Sequence, residues 1–516
     1  MNDISPKIKE QIFDAVPTLQ AENLVDKVWK EIENKIIPAV LFHCFTEEGI
    51  ATTCGKILQN EIFYKSLTDE FFIKEYGQFY KQDFSNLVFY AIRQIGRKLN
   101  QLKYQFNGEG AEALAKALRK TTTHSGLKAI YTLLKSEPYL IRMSNEINPP
   151  GLLMTPGGSR DPFTAEIINR PGAVFTRCTA YDPKPGGVPT QFYKFLYDIF
   201  EQKNPEKTPE ENEQDTTDII NRLLDIIAVA ITGNAPQLEK VLILSGKAGT
   251  GKQQLLELLE KVLGSYFIWM RPESLYETNS GGDTPRSDLN RIEETLINGI
   301  SEPSDAKLSA SLFKTLASGE PIPCRPHHSR QVIEIRPRGL FMFATNRKPY
   351  ITHDSGVDRR TENYEFSKNF SESDERINDI GRKIAESEGG EILADLIRRA
   401  GAWRDRGGDL QHITESKIVK QWTENYIGWS DVMGRFLSEE TKTLPGGLCS
   451  VSTLHKRYIE WADKNGENRM SSRALGEALS ERGIKKIKKP EGWKFTGIEL
   501  NPEKPIQQTY GGGYHD

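Results

Sequence analysis

Cysteine is scarce in this chain, and the five present (Cys44, Cys54, Cys178, Cys324 and Cys449) are scattered without C-x-x-C spacing. Neither a zinc framework nor a disulfide scaffold is indicated, which fits a reducing interior. Long apolar runs are missing too. No stretch approaches the ~20 residues that a membrane-spanning helix needs. The start, MNDISPKIKEQIF, lacks the apolar core of a signal peptide. A soluble, cytoplasmic protein with no membrane contact is therefore expected. Charge of one sign is not in excess either: 68 basic and 71 acidic residues give a formal net charge of -3. That excludes a wholly basic nucleic-acid coat, so any DNA contact must come from local basic features. No internal repeat is evident, and 516 residues leave room for roughly two to four domains.

What is present is organised around residues 241–264, VLILSGKAGTGKQQLLELLEKVLG. Four apolar residues, 241–244, make the short continuous run of a buried parallel strand. A glycine-rich turn follows, Gly246-Lys247-Ala248-Gly249-Thr250-Gly251-Lys252, and then a helix with Leu255, Leu256, Leu258, Leu259, Val262 and Leu263 on one face. Gly264 is its stop signal. Strand, G-x-x-x-x-G-K, helix is the architecture of a phosphate-binding loop. Its backbone N–H groups and the helix N-terminus cradle a polyphosphate, while the lysine ammonium reaches the outer phosphates. One position departs from the pattern. Gln253 follows Lys252, where the usual loop carries a Ser or Thr whose hydroxyl ligates magnesium.

Downstream, residues 295–302 (TLINGISE) read as a second strand ending in Glu302, although Gly299 weakens it. A lone Glu at a strand end is usually a surface residue; in a nucleotide-binding sheet it sits near the metal and the attacking water. Residues 331–335 and 340–344 are β-like, the second run ending in Thr345-Asn346, and an Asn so placed can orient a hydrolytic water. Between them, Pro326-His327-His328-Ser329-Arg330 crowds two imidazoles and a guanidinium onto a hairpin turn. Adjacent histidines can bind metal, but no third ligand is near, and phosphate gripping is the better reading. The pair Arg359-Arg360 lies in a polar loop; it is either plain solvation or an arginine finger reaching a neighbour's γ-phosphate.

On either side of this core the texture differs. Residues 1–145 read mostly as helices, with Arg93, Arg97, Lys98, Lys103, Arg119 and Lys120 giving a basic surface that is first of all a solvated helix face. Residues 146–205 are dense in turn residues (NPPGLLMTPGGSRDP, YDPKPGGVP), and the charged, apolar-poor stretch 206–217 reads as a linker and domain boundary. The expected ATPase domain spans 218–385, a helical segment 386–447, and a compact unit 448–500. That last unit has two short helices and a lysine-rich hairpin, which together suggest a winged helix. Lys485, Lys486, Lys488 and Lys489 would then meet phosphates, the alternative being an edge hairpin guarded by lysines. The tail 501–516 reads as disordered.

With these motifs in place, the chain from about residue 80 to residue 500 resembles a superfamily-three DNA helicase. The likeness is to the phage, plasmid and large-DNA-virus primase–helicase branch. It is carried by LLMTPGGSRDPFTAEIINRPGAVFTRCTAYDPKPGGVP ahead of the core and by AITGNAPQLEKVLILSG entering the loop. FKTLASGEPIPCR (with Lys314, Gly319 and Arg325), GVDRR, EGGEILADLIRRAGAW and the C-terminal YIEWADKNGENRMSSRALGEALSERGIKK…GWKFTGIEL extend it. The resemblance implies an α/β AAA+-like ATPase core with a winged helix behind it, working as a homo-hexameric ring on ATP and Mg2+. It assigns Gly246, Gly251 and Lys252 to the nucleotide phosphates, Glu302 to metal and water, and Asn346 to γ-phosphate sensing. Arg359 or Arg360 would be the finger acting in trans, with Lys240 as a second trans contact. Residues 325–330, with Arg325, His327, His328 and Arg330, are similar to the hairpin that carries a basic residue and a His into the ring channel. Two departures stand out. Gln253 replaces the loop hydroxyl, and Gln254 the position after it. No primase half precedes the core, so a separate primase or origin-binding protein is the expected partner. The implied activity is ATP-dependent translocation on single-stranded DNA; the alternative is a nucleotide-dependent ring that binds DNA, duplex included, without hydrolysis.

Overall fold

The computed structural model describes residues 20, 22–27, 29, 46–101, 109–143, 145–276, 287–301, 308–325, 332–346, 351, 354–370, 377–430, 432–465, 467 and 469–502. In the N-terminal region, α1 (Glu47–Leu58) starts at Thr46, whose hydroxyl accepts from the Gly49 N–H. Three antiparallel strands follow, β1 (Ile62–Lys65), β2 (Glu70–Tyr76) and β3 (Phe79–Gln82), in the order β1-β2-β3. Then come α2 (Leu87–Gln101), α3 (Glu109–Leu118) and α4 (His124–Leu134), closing over a core that includes Ile50, Val88, Ile92 and Ile130. A three-stranded meander thus stands among the helices of a region expected to be mostly helical. Residues 70–76 bury Phe71 and Phe72 as a strand, and the two-residue turn at Gly77 (φ +49) folds it back so that Tyr76 pairs with Phe79. The expected basic face is neutralised in part: Lys98 pairs with Asp26 at 2.6 Å, Lys120 with Glu47 at 2.7 Å and Arg97 with Glu22 at 3.8 Å, while Lys103 lies outside the described residues.

The turn-rich region holds one small hairpin, β4 (Leu153–Thr155) with β5 (Gly158–Arg160), and then α5 (Thr190–Phe200). The expected linker at 206–217 is also corrected: Pro209–Ile231 is one continuous helix, α6. Its start is built from short-range signals within the charged stretch. The Thr208 hydroxyl accepts from the Glu211 N–H at 3.2 Å, the Glu211 carboxylate accepts from the Thr208 N–H at 2.8 Å, and Pro209 fills the first turn. The first two turns are polar because they are exposed; from Ile219 onward the helix is core.

The centre is a five-stranded, all-parallel sheet formed by β6 (Val241–Ser245), β7 (Phe267–Met270), β8 (Ile297–Ser301), β11 (Leu340–Thr345) and β12 (Thr361–Glu365). Between β8 and β11 lie α8 (Ala310–Ser318) and the antiparallel pair β9 (Ile322–Cys324) and β10 (Ile333–Ile335); α7 (Lys252–Leu263) follows β6. The strand order is β12-β6-β11-β8-β7, so β11 is inserted between β6 and β8. Parallel register then brings the carboxyl ends Ser245, Thr345 and Ser301 side by side at one edge of the sheet. Crossover topologies of this kind leave their ligand crevice at that edge. All five residues of β6 and all six of β11 are buried, because helices cover both faces. Gly299, which weakens the strand by pattern alone, has a packing reason: a Cβ there would lie 2.6 Å from the Phe267 ring on β7.

After the sheet, α9 (Ile380–Asp405) packs along α7 and α6, and α10 (Lys417–Ser430) and α11 (Val432–Glu440) lead out of the core. The helical segment expected to run to 447 ends earlier, since Thr441–Ser450 is strand β13. The chain closes with α12 (Val451–Asn465), α13 (Ser472–Glu481) and the hairpin β14 (Lys486–Lys489) and β15 (Gly492–Leu500). The sheet order β13-β15-β14 covers a separate core of Phe436, Tyr458, Trp461, Leu475 and Phe495. Among the described residues no closed barrel forms, and no helix is long and apolar enough to cross a membrane.

Candidate functional site

The glycine turn between β6 and α7 has the backbone that its sequence demands. Gly249 (φ +79) and Gly251 (φ +92) lie in the left-handed region, and a Cβ at Gly246 would meet the Phe366 carbonyl oxygen at 2.2 Å. The turn folds over Lys252, which is 6% exposed. Its Nζ donates to the carbonyls of Gly246 (2.8 Å) and Lys247 (2.7 Å), and lies 3.2 Å from the Thr250 Oγ1 and 3.0 Å from the Asn346 Oδ1. An ammonium has three N–H bonds, so four oxygens around it share them. Asn346 reaches the loop because it directly follows β11, the neighbour of β6. Two residues 94 positions apart in the chain are thus brought into one contact.

Gln253 is exposed on the first turn of α7, and its Oε1 accepts from the Ser301 hydroxyl at 3.2 Å. The carbonyl and the hydroxyl, both oxygen donors, meet at the carboxyl end of β8. Glu302, the next residue, lies outside the described residues. Gln254 faces the other way: its Oε1 accepts from the Gly381 N–H at 3.1 Å, tying α7 to α9. A Cβ at Gly381 would sit 2.2 Å from the Gln254 carbonyl oxygen, so these two helix starts need the glycine to approach.

A cleft of about 660 Å³ opens over the loop. Residues 248–254, Ser301, Ala344 and Asn346 form its floor, Phe195 and Asp198 of α5 one wall, and Phe370, Ile377, Asp379, Ile380 and Ile384 the other. The Phe370 N–H donates to the Gly249 carbonyl at 2.9 Å and fixes that wall to the loop. Nothing in the sequence pointed to α5 or to the start of α9. They come from outside the motif run, and their signal was only a few apolar residues in amphipathic helices.

The arginine pair divides. Arg360 is 7% exposed, donates to the Gly356 carbonyl at 3.1 Å and pairs with Glu239 at 3.3 Å. The Arg359 side chain is 61% exposed and meets the same Glu239 carboxylate at 3.1 Å. Glu239 itself stands in the left-handed region (φ +48). Lys240 donates to the Arg359 carbonyl at 2.7 Å, and burial lowers its ammonium pKa below the ordinary value. The turn Ser355–Asp358 before the pair is capped by Asp354, which Lys314 grips at 2.8 Å. That hydrogen bond holds the Asp354 carboxyl below its ordinary pKa.

Of the residues expected to meet DNA, Arg325 is half-buried at the end of β9, while His327, His328 and Arg330 lie outside the described residues. Their flanks are paired, Cys324 opposite Ile333. Lys485, Lys486, Lys488 and Lys489 are all exposed in or beside β14. No group of three His, Cys, Asp or Glu capable of holding a metal occurs among the described residues. The Gln253 carbonyl and the Ser301 hydroxyl are oxygen donors of the hard kind, whereas magnesium usually takes one or two carboxylates, with phosphate and water completing its shell.

Residues 244–360, the span from β6 to the arginine pair, match a protein family described as a family of unknown function, DUF5906. A search of curated proteins found no match. Among solved structures, the apo structure of the NrS-1 C-terminal region (305–718) is similar at 13% identity, covering 87% of this chain and 99% of that chain, with a TM-score of 0.43. Two A-form apo structures of the NrS-1 C-terminal region are similar at TM-scores of 0.41 and 0.40, with 13% and 12% identity. The first covers 86% of this chain and 97% of that chain, the second 87% and 100%. At these scores the likeness carries no argument about function.

Proposed function

We propose that this chain is an ATP-dependent DNA helicase, a motor of the superfamily-three kind that its motifs resemble. The observation that carries the reading is the buried Lys252 ammonium, held by the glycine turn and by Asn346 at the mouth of a cleft. Lysine is not often buried without such a purpose, since its charge must be compensated there. A polyphosphate entering the turn would take over the ammonium from the loop carbonyls and meet the N–H groups at the start of α7. Asn346, already in contact with Lys252, would orient a terminal phosphate and its attacking water. The aromatic and aliphatic walls, Phe195, Phe370 and Ile380, suit a flat base.

Magnesium would supply charge neutralisation between the phosphates, with Gln253, Ser301 and Glu302 as the residues to hold it. Arg359, exposed at the amino-terminal ends of β6 and β12, would complete a neighbour's site in a homo-hexameric ring. Arg360, buried and bonded to its own turn, would shape that corner. The residues 325–330 and the C-terminal winged-helix unit would contact single-stranded and duplex DNA. A second reading rests on Gln253: with an amide in place of the loop hydroxyl, the ring would bind nucleotide and DNA without hydrolysis. ATP-driven strand displacement on a forked duplex tests the choice. Separation that requires ATP, and fails with a non-hydrolysable analogue, supports the motor; nucleotide-dependent DNA binding without turnover supports the second reading.

A further inference from the structure

The C-terminal hairpin carries a feature that its lysines do not account for. Trp493 is 50% exposed, and among the tryptophans whose side chains are described it alone stands out of the core. Register explains why. Lys486 pairs with Phe495 and Lys488 with Trp493, so all four side chains share one face of the hairpin. Phe495 is fully buried in the core beneath; Trp493, two residues nearer the tip, carries the same face past the edge of that core. The Lys486 ammonium lies 5.1 Å from the Trp493 ring centroid. Elsewhere in this unit several basic side chains are paired with acids, Arg473 with Glu477, Arg469 with Asp463 and Arg457 with Glu440. The one carboxylate at the hairpin tip, Glu491, is taken by Lys494 at 3.0 Å. Among the described residues no acid pairs with Lys485, Lys486, Lys488 or Lys489. The hairpin thus offers a half-exposed indole with Lys486 at its ring and Lys488 beside it on the same face, while Lys485 and Lys489 fall on the opposite face.

We propose that Trp493 is a stacking platform for an unpaired nucleobase, with the lysines beside it holding the adjoining phosphates. A solvated edge hairpin needs only its lysines; an indole held beside a lysine ammonium at the same edge adds an aromatic surface next to a cation. Duplex grooves are read by polar side chains, whereas single strands are held by a basic track with aromatic rings on which bases stack. The hairpin therefore binds single-stranded DNA, a refinement that rests on the DNA-binding part of the proposed function.

The test uses the full-length protein without nucleotide. Anisotropy of labelled oligo-dT, and of the same oligomer carrying abasic sites, is measured across a salt series for wild type, Trp493→Ala, Trp493→Phe and the four-lysine→Gln variant. Trp493→Ala should weaken oligo-dT binding about ten-fold at every salt concentration with an unchanged salt slope, and Trp493→Phe should recover most of it. On the abasic oligomer wild type and Trp493→Ala should bind equally. The lysine variant should lower the slope instead. DNA should also quench a component of tryptophan emission that Trp493→Phe lacks, a readout that other DNA contacts in the chain do not mask. Equal binding of oligo-dT by wild type and Trp493→Ala, with no Trp493-dependent quenching, overturns the stacking platform while leaving the helicase reading intact. No binding of any single strand by wild type overturns both.

Discussion

The Nζ of Lys252 lies 3.0 Å from the Oδ1 of Asn346, a contact between the first turn of α7 and the residue after β11. The contact exists because β6 and β11 are neighbours in the parallel sheet. It makes the lysine and the asparagine one unit, so that a change at either is felt by the other. Asn346→Ala should lower ATP turnover by about 10²-fold, the usual cost of removing one group that orients the reacting atoms. Nucleotide binding, which rests on the turn and Lys252, should change little. Steady-state kinetics beside equilibrium binding of a fluorescent ATP analogue would separate the two; a matching loss of affinity would contradict the assignment.

The arginine pair should split by role. Arg359→Ala subunits mixed into wild type should depress ATPase more steeply than dilution, because each would damage its neighbour's site. Arg360→Ala should instead destabilise the fold by roughly 1–3 kcal/mol, since it strips the buried partner from Gly356 and Glu239. Mixing curves and urea midpoints report the two effects. A linear mixing curve for Arg359→Ala would remove it as a trans-acting group.

Gln253→Thr tests whether the amide has become the working ligand. Threonine is too short to place an oxygen where the Gln253 carbonyl meets Ser301. Turnover should therefore fall about ten-fold, or ~1.4 kcal/mol on the barrier, most strongly at low magnesium. Affinity for nucleotide should hold. A rise in turnover would mean that Gln253 is a handicap which the hydroxyl repairs.

Acid should loosen the junction of the N-terminal region with the core. Glu294, just before β8, accepts from Thr176 at 3.0 Å and pairs with Lys65 of β1 and with Arg177 at 3.4 Å. Burial by itself would raise its pKa, but Lys65 and Arg177 outweigh that and hold it at about 2, against an ordinary 4.5. A carboxyl so lowered contributes stability that is complete above pH 4.5 and is lost as pH falls towards 2. Glu294→Gln should cost on the order of 2–3 kcal/mol at pH 7. The gap to wild type should narrow on acidification through that window, as read from urea midpoints. A gap independent of pH would mean that the ion pairs contribute nothing.

Sequence made the centre of this molecule legible because short-range rules govern it. The apolar run 241–244, the glycines and Lys252 stand within a dozen residues, and strand, turn and helix follow from them. Asn346 could be anticipated as a strand-end residue, yet its contact with Lys252 depends on strand order, which no local pattern encodes. The second wall of the cleft was out of reach for the same reason: Phe195 and Ile380 belong to helices whose periodicity reports burial and not the neighbour that they bury against. The misread linker shows the opposite failure. Charge density at 206–217 masked a capping box and an N-terminal proline, signals that were present at Thr208, Pro209 and Glu211. In the N-terminal region, the aromatic and β-branched run Phe71-Phe72-Ile73 and Gly77 after it were sufficient for a hairpin, but helical spacing on both sides hid them.

The most direct test of the account is steady-state ATP hydrolysis by wild type and Lys252→Ala, each with and without single-stranded DNA. Wild type should show magnesium-dependent turnover that single-stranded DNA raises. Lys252→Ala should lose roughly 10²-fold or more, with the unfolding midpoint retained. Equal turnover in the two proteins would contradict it, because the loop, the cleft and Asn346 would then be arranged around a lysine that handles no phosphate.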